Sequence, residues 1–392
     1  MSASVDMVDV CVLGAGLSGA LVANRLVAQG RTVTVIEARN RIGGRLLNAR
    51  HGGDLGGAWV WPSSEPSIMQ ILNEFGVGTI PQHYNGETMA RISSGQRQVL
   101  PPGQAERYAA CGPGASRIVG GAEGLVRKLL SDSESVALDT RVTRVRYSSD
   151  GVALYGESGE DVSFRCRAAV LAAPPRVLAT SIEFEPSLPK AKYESMIATD
   201  TWMQDFGKIS VSFPENWWRD LNMSAISIDQ AGAVQTWWEA CSGDGQDGNR
   251  ATLAGFVTET GAHMLQKIGD AERLLEYVVD ALGALYAVDR TVMGFSASDG
   301  LEASGEAENE GLVVSKSGIT VTYKSWLDDR YTNRSSECGD VDFATDYGDR
   351  LLRQSVGPLF FAGCETERGS GHMDSAIVSA ERVFQEVNTF LI

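Results

Sequence analysis

Two groups of residues in this chain are spaced for chemistry. Near the N-terminus, Gly14-Ala15-Gly16-Leu17-Ser18-Gly19 fits the pattern G-x-G-x-x-G, and Glu37 follows about twenty residues later at the end of an apolar run. In such a pattern the first glycine permits a tight turn and the second lets a pyrophosphate approach the backbone. The third allows close helix packing, and the helix that follows offers free amides and the positive end of its dipole. Glu37 supplies a carboxylate that can accept hydrogen bonds from a ribose diol. Together these features specify dinucleotide binding. The continuation, Glu37-Ala38-Arg39-Asn40-Arg41-Ile42-Gly43-Gly44-Arg45, favours FAD over NAD. Its two glycines admit a second pass of backbone near the cofactor, and Arg45 brings a cation to the diphosphate. The other group centres on Lys208. A lysine between Gly207 and Ile209 in an apolar strand is awkward to bury, which favours a functional amine over a strand lysine turned to solvent.

These residues need elements to hold them. Residues 8 to 13 read as a buried parallel strand, 17 to 29 as a small-residue helix and 32 to 36 as a second strand, which makes a βαβ unit. From residue 76 to 117 the periodicity weakens and Pro, Gly and Ala accumulate, so this stretch is expected to be a loop-rich excursion over a site. Strand patterns return at 136 to 147 and 152 to 171 and stop at Ala172-Ala173-Pro174-Pro175. Residues 207 to 213 and 232 to 238 alternate as strands. Residues 271 to 288 carry Leu274, Leu275, Val278, Val279, Leu282 and Leu285 at helical spacing. The stretch from 296 to 311, rich in Glu, Gly, Ser and Ala, reads as a solvated loop. A last strand is expected at 359 to 363 and a helix from about Asp374. The implied architecture is α/β: a Rossmann-type FAD-binding domain (1–80, 117–200 and 322–392) interleaved with an α+β substrate domain of mixed sheet and helices (81–116 and 201–321).

Composition narrows the partners. The chain has 392 residues, 43% of them hydrophobic and 21% charged, enough for two interleaved domains. With 34 basic against 50 acidic side chains the net charge is −16, which repels a nucleic-acid backbone or an anionic membrane surface. The six cysteines lie far apart, with no C-x-x-C pair and no histidine at metal-ligand spacing, as in a reduced cytoplasmic protein without a metal site. The N-terminus leaves no room for a secretory leader, and the C-terminal helix is far short of the roughly 20 apolar residues that span a bilayer. A homodimer is compatible with this composition but not specified by it.

The run Glu37-Ala38-Arg39 to Gly43-Gly44-Arg45, followed by Gly53-Asp54-Leu55-Gly56-Gly57-Ala58-Trp59, resembles the N-terminal signature of the flavin amine oxidases, the monoamine oxidase-like family. Phe361-Ala362-Gly363-Cys364-Glu365-Thr366 and Ser370-Gly371-His372-Met373-Asp374 resemble that family's closing motif. Gly207-Lys208-Ile209 and Trp326-Leu327-Asp328-Asp329-Arg330-Tyr331 stand between them in the expected order. By position, the resemblance implies that Glu37 holds the adenosine ribose, that Arg39 and Arg45 lie near the diphosphate, and that Val142 meets the adenine through its backbone. It puts Gly57, Ala58 and Trp59 beside the flavin, Glu365 on the ribityl chain and the Met373 backbone near flavin N1 and O2. Lys208 matches the lysine that holds a water against flavin N5. Trp59, Trp61, Tyr331 and Ser336 are expected on the substrate side. The family flanks the substrate nitrogen with two aromatic rings, and those positions are held here by His372 and Ser336. His372 can stack, donate a hydrogen bond or act as a base near neutral pH, or simply replace a ring in packing. Ser335 falls where some members carry a cysteine bonded to FAD, which implies non-covalent FAD, and Cys364 reads as a small packing residue.

The resemblance implies an FAD-dependent oxidase of a small-molecule amine. Hydride leaves the carbon next to the amine nitrogen for flavin N5, O2 reoxidises the flavin to give H2O2, and the imine hydrolyses. An L-amino-acid oxidase is the alternative, although Trp59 replaces the arginine that would pair the carboxylate; Arg91, Arg107, Arg117 or Arg334 would have to supply that cation. A flavin-dependent desaturase or isomerase on the same frame, or FAD as a structural ligand, is the third reading. Trp61, Trp237, Trp238 and Phe256 are candidates for the pocket lining.

Overall fold

In the computed structural model, residues 6–133, 135–157, 162–241, 243, 250–307, 311–333 and 347–392 are described. The strand Met7–Leu13 lies at the centre of an eight-stranded sheet, parallel to both Val33–Ile36 and Val162–Leu171. Its upper half, from Val10 to Leu13, is buried, because helices cover both faces of a parallel sheet. The helix Leu17–Ala28 crosses between the first two strands, and its run of small and aliphatic side chains is almost wholly buried against the C-terminal helix Met373–Phe390. Ser18 Oγ donates to the Ala376 carbonyl at 3.0 Å and ties the two helices together near their N-termini. The last strand, Leu359–Phe361, joins the upper end of Val162–Leu171 in parallel, so the chain's two ends close one sheet.

A nine-stranded sheet forms the second layer. Its order runs Leu301–Ala307, Gly311–Lys316, Ile319–Ser325, Gly207–Phe213, Ala251–Val257, Val234–Glu239, Met223–Asp229, Glu87–Arg91 and Arg97–Leu100. One face packs on the helices Glu259–Ile268 and Ala271–Tyr286, whose buried Leu274, Leu275, Val278, Val279, Leu282 and Leu285 are the apolar stripe read from the sequence. Asp270 caps the longer helix by accepting the Arg273 amide at 3.0 Å. The other face turns toward the first layer.

One expectation is extended and two are corrected. The excursion at 76 to 117 is loop-rich as expected but also carries strands that were not foreseen: it contributes Thr79–Pro81 and Ser116–Ile118 to a small three-stranded sheet, and Glu87–Arg91 and Arg97–Leu100 to one end of the large one. These strands are three to five residues long, too short for a period-2 pattern to stand out, and Thr79–Pro81 and Arg97–Leu100 are edge strands with half-solvated positions. The Glu-, Gly- and Ser-rich stretch after residue 296 contains the edge strand Leu301–Ala307, paired antiparallel with Gly311–Lys316. Its polar composition suits an edge with one open side. The strand Ile319–Ser325 also crosses the expected boundary at residue 321 and stays within the nine-stranded sheet, because its pairing with Gly207–Phe213 continues to Ser325.

Candidate active site

The glycine turn is built as its spacing requires. Gly14 has φ +106°, and a Cβ there would lie 2.4 Å from the Ala172 carbonyl oxygen; one at Gly19 would lie 2.0 Å from the Gly14 oxygen. Gly16 caps the helix Leu17–Ala28 without a side-chain hydrogen bond, so the first-turn amides stay open. Glu37 is 4% exposed and braces the turn, accepting the Ala15 amide at 2.9 Å and the Arg39 amide at 2.9 Å. Each carboxylate oxygen keeps a second lone pair for a ligand hydroxyl.

A cavity of about 640 Å³ runs from this turn to the face of the nine-stranded sheet, a size ordinary for a ligand site. Gly14, Gly16, Ser18, Glu37, Ala38, Arg39, Gly44, Arg45 and Val142 line one end; Gly57, Ala58, Trp59, Trp61, Lys208, Phe256, His372 and Met373 line the other. Ala15 lies just beneath, fully buried, and contributes its amide to Glu37.

Strand register decides what the second end presents. Thr236, Phe256, Lys208 and Lys324 are paired across four neighbouring strands and so project from one face in a row. The next residues of that face, Ser210 and Ser212, donate to the Gly52 carbonyl at 2.9 Å and the His51 carbonyl at 2.7 Å. Lys208 completes the series, with Nζ donating to Gly56 O at 2.7 Å and Asp54 O at 3.3 Å. The amine also lies 5.2 Å from the Trp59 ring, 5.1 Å from Trp238 and 5.2 Å from Phe256, and these three rings pack on one another. Burial pushes the Lys208 ammonium down to about 8, with Asp54 and Cys111 acting the other way. The solvent-facing alternative for Lys208 therefore does not hold. Two of its three donors are used, which leaves one for the cavity.

His372 caps the C-terminal helix, and its Nδ1 is 2.8 Å from Glu65 Oε1. The imidazole stacks on Trp61 at 4.8 Å with 17° between planes and meets Trp202 at 5.6 Å and 61°. Trp202, Met203 and Phe206, from the turn before the Lys208 strand, also line the cavity and were not singled out by sequence. No periodic pattern marks a turn residue, so only the Trp and Phe types hinted at them.

Several expected residues sit elsewhere. Trp237 is buried among the helix-facing side chains, because alternation turns it away from Trp238. Trp238 itself does not line the cavity and meets the site from behind, through Lys208, Trp59 and Phe256. Tyr331 lines the cavity, but beside the dinucleotide turn: it lies under the Arg39 guanidinium at 5.0 Å, not with the rings around Lys208. Arg39 is itself anchored by Asp329 at 2.5 Å and Thr332 at 3.1 Å. Glu365 is fully buried and does not line the cavity. It pairs with Arg45 at 2.7 Å and accepts the Trp202 amide at 3.2 Å. Burial alone would raise its carboxyl, but Arg45 overrides this and holds it below the ordinary carboxylate range. Cys364 is more than packing, since its Sγ lies 3.2 Å from both Arg45 Nη2 and Glu365 Oε2. Ser335, Ser336 and Arg334 lie outside the described residues. None of the other cations considered for an amino-acid carboxylate lines the cavity. Arg91 is paired with Asp229, Arg117 donates to the Cys241 carbonyl, and Arg107 is exposed.

FAD fits this cradle. The glycine turn excludes side chains where a diphosphate would pass, and two buried polar atoms of cavity-lining residues, Arg39 Nε and Thr236 Oγ1, have no partner among the described residues.

Comparison with known proteins agrees with this geometry. The chain is 24% identical to a putrescine oxidase of Kocuria rosea, over 70% of this chain and 79% of that protein. It is 24% identical to the flavin-containing amine oxidase A of Sus scrofa, over 97% of this chain and 85% of that one. The fold is that of the cyclohexylamine oxidase from Brevibacterium oxydans, with a TM-score of 0.73 at 17% identity, covering 98% and 100% of the two chains. Residues 12–75 match the NAD(P)-binding Rossmann-like domain. Residues 103–388, most of the chain, match the flavin containing amine oxidoreductases, and the chain belongs to that family.

Proposed function

We propose that this protein is an FAD-dependent oxidase of small-molecule amines. The observation that carries the reading is the single cavity that joins the Gly14–Gly16 turn and Glu37 to the buried amine of Lys208 and the rings around it. When bound, FAD supplies the hydride acceptor for the carbon next to the amine nitrogen, with O2 as the final oxidant giving H2O2.

The chain's own residues do the rest. Glu37 receives the adenosine ribose, and the amides opening Leu17–Ala28, with Arg39 and Arg45, neutralise the diphosphate. Gly57, Ala58 and Trp59 bring backbone and a ring to the isoalloxazine. The first turn of Met373–Phe390 has no side-chain cap, and with FAD bound its Met373 amide and positive dipole end would stabilise negative charge on the flavin. Lys208, with one free donor in a dry ring-lined pocket, holds a water beside the reacting centre. Trp61 and His372 bound the place where the amine nitrogen sits. Glu365 acts through Arg45 rather than by touching the cofactor. FAD is held without a covalent bond. The dinucleotide-binding segments, with the last of them beginning after Ser325, work in the cytoplasm together with the substrate domain. No described helix is long and apolar enough to cross a membrane.

The test is the flavin absorbance of purified protein mixed anaerobically with amines, amino acids and amino-acid amides. Bleaching by amines and not by free amino acids is expected. Bleaching by amino acids alone would replace this reading with an amino-acid oxidase, and no bleaching by any of them would favour a desaturase or isomerase.

A further inference from the structure

Among the described residues, two side chains at the substrate end of the cavity can take a proton: Lys208, whose Nζ is tied to the Gly56 and Asp54 carbonyls, and His372, which is not free-standing either. His372 belongs to an interlock of two helix N-termini. Glu65 stands at the start of the helix Pro66–Glu74 and reaches His372, the residue that opens Met373–Phe390. In return Asp374, from the first turn of the second helix, accepts the Ile68 amide of the first at 2.9 Å. Each helix thus lends a carboxylate to the other's first residues.

The interlock fixes the imidazole's state as well as its place. Glu65 is buried, and its second oxygen, Oε2, accepts the Trp61 amide at 3.0 Å. A carboxylate with one oxygen on a backbone N–H and the other on Nδ1 requires that Nδ1 carry the proton. Nε2 then presents a lone pair. It has no hydrogen-bond partner among the described residues, and His372 lines the cavity. Trp61 on one face and the edge of Trp202 keep the ring from turning.

We propose that Glu65 and His372 form the proton acceptor for the substrate ammonium. This rests on the reading of the protein as an amine oxidase. An aliphatic amine reaches the enzyme as R–NH3+, and only the neutral amine has the lone pair that drives loss of hydride from the adjacent carbon. One proton passes from the ammonium nitrogen to His372 Nε2. The nitrogen keeps the bonding pair as its lone pair, and the new imidazolium is neutralised through Nδ1–H by Glu65. Glu65 is a positioning residue and His372 the group that meets the substrate. The other titratable groups packed around the ring are occupied: Asp374 by the Ile68 amide, and Arg45, which reaches the Trp202 carbonyl, by Glu365. Tyr347 touches Trp202 edge-on, and its hydroxyl is pushed above the ordinary range by burial.

The experiment is stopped-flow reduction of the FAD-loaded enzyme by benzylamine from pH 6 to 10, with His372→Gln, Glu65→Gln and Glu65→Asp beside the wild type. At pH 7, His372→Gln should reduce about 10²-fold more slowly. The deficit should shrink as pH approaches the amine's own pKa, where solvent has already removed the proton, and added imidazole should restore part of the rate. Glu65→Gln should slow reduction by a smaller factor than His372→Gln, and Glu65→Asp should recover most of that loss. A readout independent of turnover is the 15N spectrum of the histidine rings, only four in this chain. The His372 signal should report Nδ1–H in the wild type and lose that tautomer's dominance in Glu65→Gln. If wild type reduces normally while the variants keep its pH profile and change only thermal stability or KM, the pair is a helix lock and the proposal falls. If no amine reduces the wild type, the amine-oxidase reading fails first and takes this proposal with it.

Discussion

Replacing Lys208 by methionine separates a chemical role from a structural one. The lysine is bound into the loop at 51 to 56 by the same strand face that carries Ser210 and Ser212, so it could be regarded as one more strut. The energetics argue that it is a poor strut. Lowering the ammonium from 10.5 to about 8 corresponds to about 3 kcal/mol of disfavoured charge. The sign follows from the depressed value. Below pH 8 the folded protein must carry a buried cation, so this cost is fully present there; it fades as pH rises from 8 toward 10.5. Methionine fills a similar volume and removes that cost, while the Gly56 and Asp54 carbonyls lose hydrogen bonds worth about 1 kcal/mol each. The two changes nearly cancel. Lys208→Met should therefore fold, keep its FAD and melt within about 5 °C of wild type by calorimetry. If the amine organises the reacting centre, flavin reduction or reoxidation should fall by about 10²-fold in stopped flow. The wild-type pH inflection near 8 in that step should also vanish in the variant. Both half-reactions within twofold of wild type, with the inflection intact, would show that Lys208 only secures the loop.

Other perturbations test the cradle. In Gly19→Ala the new Cβ would lie 2.0 Å from backbone at Gly14, so the purified protein should lose most of its 450 nm flavin absorbance. Gly124→Ala has no neighbour within 4 Å inside the helix Ala122–Leu129 and should keep its flavin and gain roughly 0.5–1 kcal/mol in urea unfolding. Glu365→Ala would strip Arg45 of its buried partner, costing about 3 kcal/mol of stability. FAD affinity, read by fluorescence titration, should weaken as well, because Arg45 is no longer aimed.

The dinucleotide half of this protein could be read locally, because its requirements are local. Gly14, Gly16, Gly19 and Glu37 act within one strand–helix–strand unit, and the structure places them as their spacing implied. The helix at 271 to 286 was equally legible, since burial of one stripe is periodic. Sequence also identified Lys208 as an amine that is hard to explain on a strand.

Only the tertiary structure decided what surrounds these groups. The rings of Trp59, Trp238 and Phe256 meet at Lys208 because three separate segments converge there, and no spacing encodes that distance. The partnership of His372 with Glu65 spans 307 positions and depends on two helices starting at the same place. Trp237 and Trp238 are neighbours in sequence with opposite destinations, settled by which face of the sheet meets the cavity. Glu365 carries a motif position yet points into the protein at Arg45, since a buried carboxylate must first find a cation. Residue types thus announced which chemistry was present, whereas contacts between distant segments determined which atoms are free to perform it.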